Sequence, residues 1–195
     1  MRLHYGAPPE NKDFNPEAEG WHSIREPGPI AMQFIAIPVA FLLLVLWAAF
    51  LLSFQQDSFP FQGLRIDLNA LLVLFLFIPL HELLHAFTHP QWGISSNSMI
   101  GIWPSRGLFY AHYEGEMSRN RFLLVFGMPL IVLGVLPTLL IAMIPELMQS
   151  LLLPSLFGMI FACGDLVGVG FIFFQVPRSA VVRNKGWKTY WKSTQ

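Results

Sequence analysis

LNALLVLFLFIPLHELLH, residues 68–85, decides how this chain is read. An apolar run, Leu68 to Leu80, leads without a break into His81-Glu82-Leu83-Leu84-His85. On an α-helix, residues four apart share a face and lie about 6 Å apart along the axis. His81 and His85 can therefore offer two imidazole nitrogens to one metal ion. Glu82 is turned about 100° from His81, close enough to reach a water on that ion. Two blander readings are an interfacial polar cluster and a haem-ligand pair, although bis-His haem usually takes its ligands from different helices. Neither gives a reason to place three ionisable groups in an apolar span, where such groups are costly and usually functional.

The composition around this stretch agrees with a membrane setting. Of the 195 residues, 54% are hydrophobic and only 12% are charged, against about 25% charged in soluble domains. The length suits one domain. A net charge of zero gives no sign of a nucleic-acid partner. The single Cys163 has no partner for an internal disulfide and reads as a small core residue. No secretory signal is expected, because about thirty mostly polar residues precede the first apolar run.

Four apolar spans follow the polar start, each near the ~20 residues needed to cross a bilayer. They are Ile30 to Phe54, Leu68 to about His89, Phe122 to Ile144 with Pro129 and Pro137 as expected kinks, and about Leu147 to Phe174 with Pro154 near its start. With both termini on one side, that side holds eleven of the twelve Lys and Arg residues, and Arg65 alone lies opposite. The bias makes both termini cytoplasmic in a multi-pass protein of the cell membrane, with a bacterial inner membrane the expected location. Residues 1–29 then form a polar cytoplasmic tail, ordered only where Trp21 or Tyr5 finds a surface. Residues 30–176 form the four-span domain. Residues 177–195 form a basic, aromatic cytoplasmic tail suited to lipid headgroups.

Between the second and third spans, Ser98–Trp103 and Leu108–Tyr113 are rich in β-formers and flank Pro104-Ser-Arg-Gly107. This predicts a short β-hairpin at, or dipping into, the cytoplasmic membrane face. The fold class expected is an all-α integral membrane protein, four transmembrane helices with that one hairpin.

A catalytic zinc usually takes three protein ligands and a water. Asp165 is the one acid well inside an apolar span, and an unpaired carboxylate there is expensive. Counted from the outer ends of the second and fourth spans, His81, His85 and Asp165 all lie roughly 20–25 Å in. Gly164, Gly168 and Gly170 would allow close helix approach. The blander role for Asp165 is a hydrogen-bonded packing residue. His89 reads as a helix-end or interfacial residue with a ligand or relay role as its alternative. His112 reads as a solvated loop residue that could touch substrate or metal. His4 and His22 carry no signal.

With His81-Glu82-Leu83-Leu84-His85 in the second span, Met117-Ser-Arg-Asn-Arg-Phe122 and Pro129 at the third, and Gly164-Asp165 in the fourth, the chain resembles intramembrane metalloproteases of the site-2 protease type. It looks most like a compact bacterial branch labelled "putative zincin peptidases". The resemblance covers roughly residues 68–174. It implies zinc held by His81, His85 and Asp165, Glu82 as the general base on zinc-bound water, and a membrane protein or peptide as substrate. It also implies that the 98–113 segment receives an unwound substrate strand. A reading from another class is a non-enzymatic membrane metal carrier or sensor, which would keep the three ligands and have no need of Glu82.

Overall fold

The computed structural model describes residues 1–54 and 68–194, so Gln62 and Arg65 lie outside the described residues. The described residues are mostly helical, with two small sheets. Helices α1 (Pro29–Phe54) and α2 (Leu68–Thr88) are the first two apolar helices. The third runs from Arg119 to Met143 and joins α3 (Arg119–Pro129), a π-helical stretch over Leu130–Val135 and α4 (Leu136–Met143). Pro137 has no N–H for the Leu133 carbonyl, and the ladder widens into π turns just before it. The fourth is broken. Helices α5 (Met148–Phe161) and α6 (Cys163–Gln175) meet at Ala162 in a bend of 42°. Among the described residues, three helices are long and apolar enough to cross a membrane, and four spans result if the bent pair counts as one.

The π turns pack backbone against backbone on α5. A Cβ at Gly158 would lie 2.2 Å from the Leu133 carbonyl oxygen. The expectation of close approach at Gly164, Gly168 and Gly170 holds at Gly168, where a Cβ would lie 3.1 Å from the Phe126 ring on α3, and is corrected at Gly164 and Gly170, which have nothing within 4 Å. The widened turn brings the third helix against the α5 backbone before the bend, while α3 meets α6 through Phe126.

The sheets come from short strands distant in sequence. Strand β1 (Arg2–Tyr5) pairs in parallel with β3 (Ser98–Trp103), and β3 pairs antiparallel with β4 (Leu108–Tyr113). The turn between β3 and β4 ends at Gly107, whose φ of +61° suits glycine. The second sheet orders β2 (His22–Ser23), β7 (Lys188–Ser193), β6 (Ala180–Lys185) and β5 (Met117–Ser118). The all-α expectation is therefore corrected. The 98–113 hairpin forms, but it is the core of a three-stranded sheet, and a four-stranded sheet accompanies it. Strands of two to six residues carry too little alternation to stand out in the sequence.

The N-terminal residues are bound into this part of the molecule. Phe14 and Trp21 are buried edge to face, and the Arg183 guanidinium lies 4.0 Å over the Phe14 ring. Tyr5, by contrast, is exposed. Tyr113, Met117, Phe122, Val125, Ile172 and Val182 form a core where the sheets meet the helices. A second core of Trp47, Leu51, Ile141, Leu152 and Met159 binds the helices to one another. Many apolar side chains of α1, among them Phe34, Ile37 and Phe41, face outward. An outer surface of this kind suits lipid.

Candidate metal centre

His81 and His85 lie one turn apart on α2, and Asp165 lies in the first turn of α6, just past the bend at Ala162. Asp165 Oδ2 is 3.0 Å from His81 Nε2 and 3.3 Å from His85 Nε2. The two Nε2 atoms are 3.2 Å apart. One ligand atom from each residue lies within 4.8 Å of the others, so the three could hold a metal ion.

The arrangement fits zinc on two grounds. Ligands about 2.1 Å from a tetrahedral zinc lie about 3.4 Å from one another, close to the separations seen here. The buried Oδ2 of Asp165 also has no donor aligned on it. A buried carboxylate oxygen without a partner is expensive, and a cation among the three ligands would supply one. Two histidines and one carboxylate are a donor set found in catalytic rather than structural zinc sites, and they would leave a fourth position for water.

The orientation of His85 follows from a proline. In a regular helix the Val125 carbonyl would accept from the N–H of residue 129. Residue 129 is Pro129, which has no N–H. The freed Val125 oxygen lies 2.7 Å from His85 Nδ1 and accepts from it. That bond selects the tautomer whose Nε2 lone pair faces Asp165. The sequence signal was present in Pro129, but its consequence depends on α3 packing beside α2, which the sequence does not show.

Glu82 is buried beside the triad, and the backbone amide of Ala111 on β4 is directed at its carboxylate. His89 and His112 are not among the ligand-bearing group. Both are buried, which corrects the expectation of an exposed or solvated role. His89 Nδ1 is 2.6 Å from Ser98 Oγ, and its ring packs on Tyr113. Arg121, at the start of α3, donates to the carbonyls of Thr88 and His89 at 2.9 Å each, closing the end of α2. Cys163, beside the bend, is half-buried.

A cavity of about 620 Å³ opens over the triad and Glu82. Its walls are mainly apolar, from Met32 and Ala36 on α1 to Phe122, Phe126 and Phe171. Its lining also includes Glu26, Asn184 and Thr189. Glu26 accepts from the Thr189 N–H at 2.6 Å and from Thr189 Oγ1 at 3.1 Å. Burial raises its carboxyl from 4.5 to about 7, against the opposing effect of those bonds and of Lys188.

Residues 74–181 match a protein-family model described as "Putative zincin peptidase". The match spans more than half of the 195 residues, and the chain belongs to that family. No curated protein and no solved structure matches the chain.

Proposed function

We propose that this protein is an intramembrane zinc metallopeptidase that hydrolyses peptide bonds of membrane-associated substrates. One observation carries the reading: ligand atoms of two buried histidines and a partly buried aspartate, from two apolar helices, converge beside a buried Glu in the lining of one cavity. His81, His85 and Asp165 would hold the metal. Zinc, when bound, polarises the scissile carbonyl and acidifies the attacking water, towards a pKa of ~7 in characterised enzymes. Glu82 takes the proton of that water and passes it to the leaving amine as the C–N bond breaks. Val125 keeps His85 oriented through its freed carbonyl.

Strand β4 supports a place for the substrate. Its pairing with β3 uses alternate residues, and Glu114 continues the bonded set through its N–H to the Asn97 carbonyl. Phe109, Ala111 and Tyr113 then present their N–H and C=O groups to the opposite edge, which pairs with no other strand among the described residues. An extended substrate segment laid along that edge would pass Glu82 at Ala111. Extension matters because a helical substrate keeps its carbonyls in its own hydrogen bonds.

In the bilayer, four spans with cytoplasmic termini accord with the basic residues. Pairing of β2 with β7 agrees, since ends joined in one sheet lie on one side and require an even number of crossings. The bent α5–α6 pair then counts as a single span.

The deciding experiment is Glu82→Gln. The amide keeps the volume but cannot take a proton. Zinc content of the purified variant should match the wild type, while accumulation of single-span membrane proteins in its cells should show lost proteolysis. Loss of a general base costs ~10²–10⁴-fold in rate. A carrier or sensor on the same triad would be indifferent to the change. Unchanged zinc with an unchanged membrane proteome would refute the peptidase reading.

A further inference from the structure

Two residues that line the cavity each carry a polar atom that the triad and Glu82 leave unused. His112 Nε2 and Asn184 Oδ1 are buried and have no hydrogen-bond partner among the described residues. Both residues line the cavity that holds the metal triad. His112 is only 5% exposed, and burial holds its imidazole at about 4, so it is neutral at pH 7. A neutral imidazole has one donor and one acceptor nitrogen.

The two residues come from different sheets. His112 follows Ala111 on β4, beside the edge proposed for the substrate. Asn184 lies on β6, cross-strand from Thr189, whose N–H and hydroxyl are already bonded to Glu26. One orphan atom therefore comes from the sheet beside Glu82 and the other from the second sheet. Buried polar groups in folded proteins are nearly always satisfied by protein, water or ligand. A peptide entering an apolar cavity brings the converse problem: each residue carries an N–H and a C=O that must leave water. The β4 edge offers partners to one side of an extended segment, and the mainly apolar walls offer none to the other.

We infer that His112 and Asn184 bind the main chain of the substrate, with His112 Nε2–H donating to a carbonyl and Asn184 Oδ1 accepting from an amide N–H. The inference rests on the peptidase reading above. A donor and an acceptor of this kind match what every peptide unit offers, whatever its side chain. They would hold the substrate's register against Glu82 while the apolar walls select its side chains.

Two probes separate this role from the metal site, using zinc-loaded protein in detergent and calorimetry. Acetohydroxamate engages a metal only. Acetyl-trileucine hydroxamate adds a main chain. His112→Leu and Asn184→Leu should each weaken the peptide hydroxamate about three- to tenfold, the worth of a neutral hydrogen bond. Acetohydroxamate affinity should stay at the wild-type value. His112→Gln, which keeps a donor, should recover part of the loss and carries the test if His112→Leu does not fold. Wild-type affinity for both probes in both Leu variants would overturn the inference and show that water alone satisfies these atoms. Equal loss of both probes would overturn it in favour of an effect on the metal centre. If zinc-loaded wild type binds neither probe, the peptidase reading itself fails.

Discussion

Pro129 is a residue whose importance lies in an atom it lacks. Without its N–H, the Val125 carbonyl is left to His85. Pro129→Ala should return that carbonyl to the helix ladder and loosen the ring. Changes of this kind beyond the direct ligands typically cost 10–100-fold in metal affinity. A zinc-competition titration should show the loss with the fold intact, and an unchanged affinity would remove Val125 from the account. Glu26 gives a prediction in pH. Its folded carboxyl keeps a proton up to about pH 7, whereas the unfolded chain releases it near 4.5. The folded state binds more protons between these values, so this group's contribution to stability falls as pH rises through the window. Glu26→Gln removes that fall while keeping an acceptor for Thr189. Thermal unfolding in detergent at pH 4.5 and pH 8 should show a smaller pH effect in the variant; identical effects in both proteins would exclude the assignment. At this scale the sequence was most informative where chemistry is scarce. His81, Glu82, His85 and Asp165 stood out because apolar spans seldom hold such groups. Asn184 did not stand out, since a lone Asn in a basic tail reads as solvated.

At the scale of elements, the apolar helices were legible from their length and hydropathy, and the hairpin from Pro104, Gly107 and β-formers on either side. The break at Ala162 was not, because Phe161-Ala-Cys-Gly-Asp165 carries no proline and remains apolar enough to continue a helix. The π turns were half legible. Pro137 announced a disturbed ladder, but not that the widened turn would be the surface that meets α5. Gly158 tests this contact. A Cβ there would meet the Leu133 carbonyl at 2.2 Å and the Gly134 nitrogen at 2.5 Å, both backbone atoms that cannot step aside. Gly158→Ala should destabilise the protein by about 1–3 kcal/mol, the usual effect of overpacking. Gly170→Ala has open space and should be neutral or slightly stabilising. Paired melting curves check this, and equal midpoints would show that the helices can part without cost.

For the whole molecule, composition pointed to the membrane and charge gave an orientation, but nothing in the sequence joined the two tails. Long-range pairing of short strands depends on where the helices deliver the chain ends. The proposed topology makes a direct prediction. A reporter fused after Gln195 should be cytoplasmic, and one placed near Glu146 should lie on the opposite side. Both on one side would break α5–α6 from the count of spans and leave three. The union of the tails also bears on how the protein is made. Thr189 lies 163 residues downstream of its partner Glu26. At a synthesis rate of 5–20 residues per second, the early strand waits roughly ten to thirty seconds for β7. In the proposed topology the helices would enter the bilayer during that interval, while the cleft lacks its later wall, the one that carries Asn184. A peptidase that acts on membrane chains would thus finish its binding site only after its last span has been synthesised. Protease accessibility of residues 7–28 in nascent chains arrested before residue 180 would show whether the wait is real.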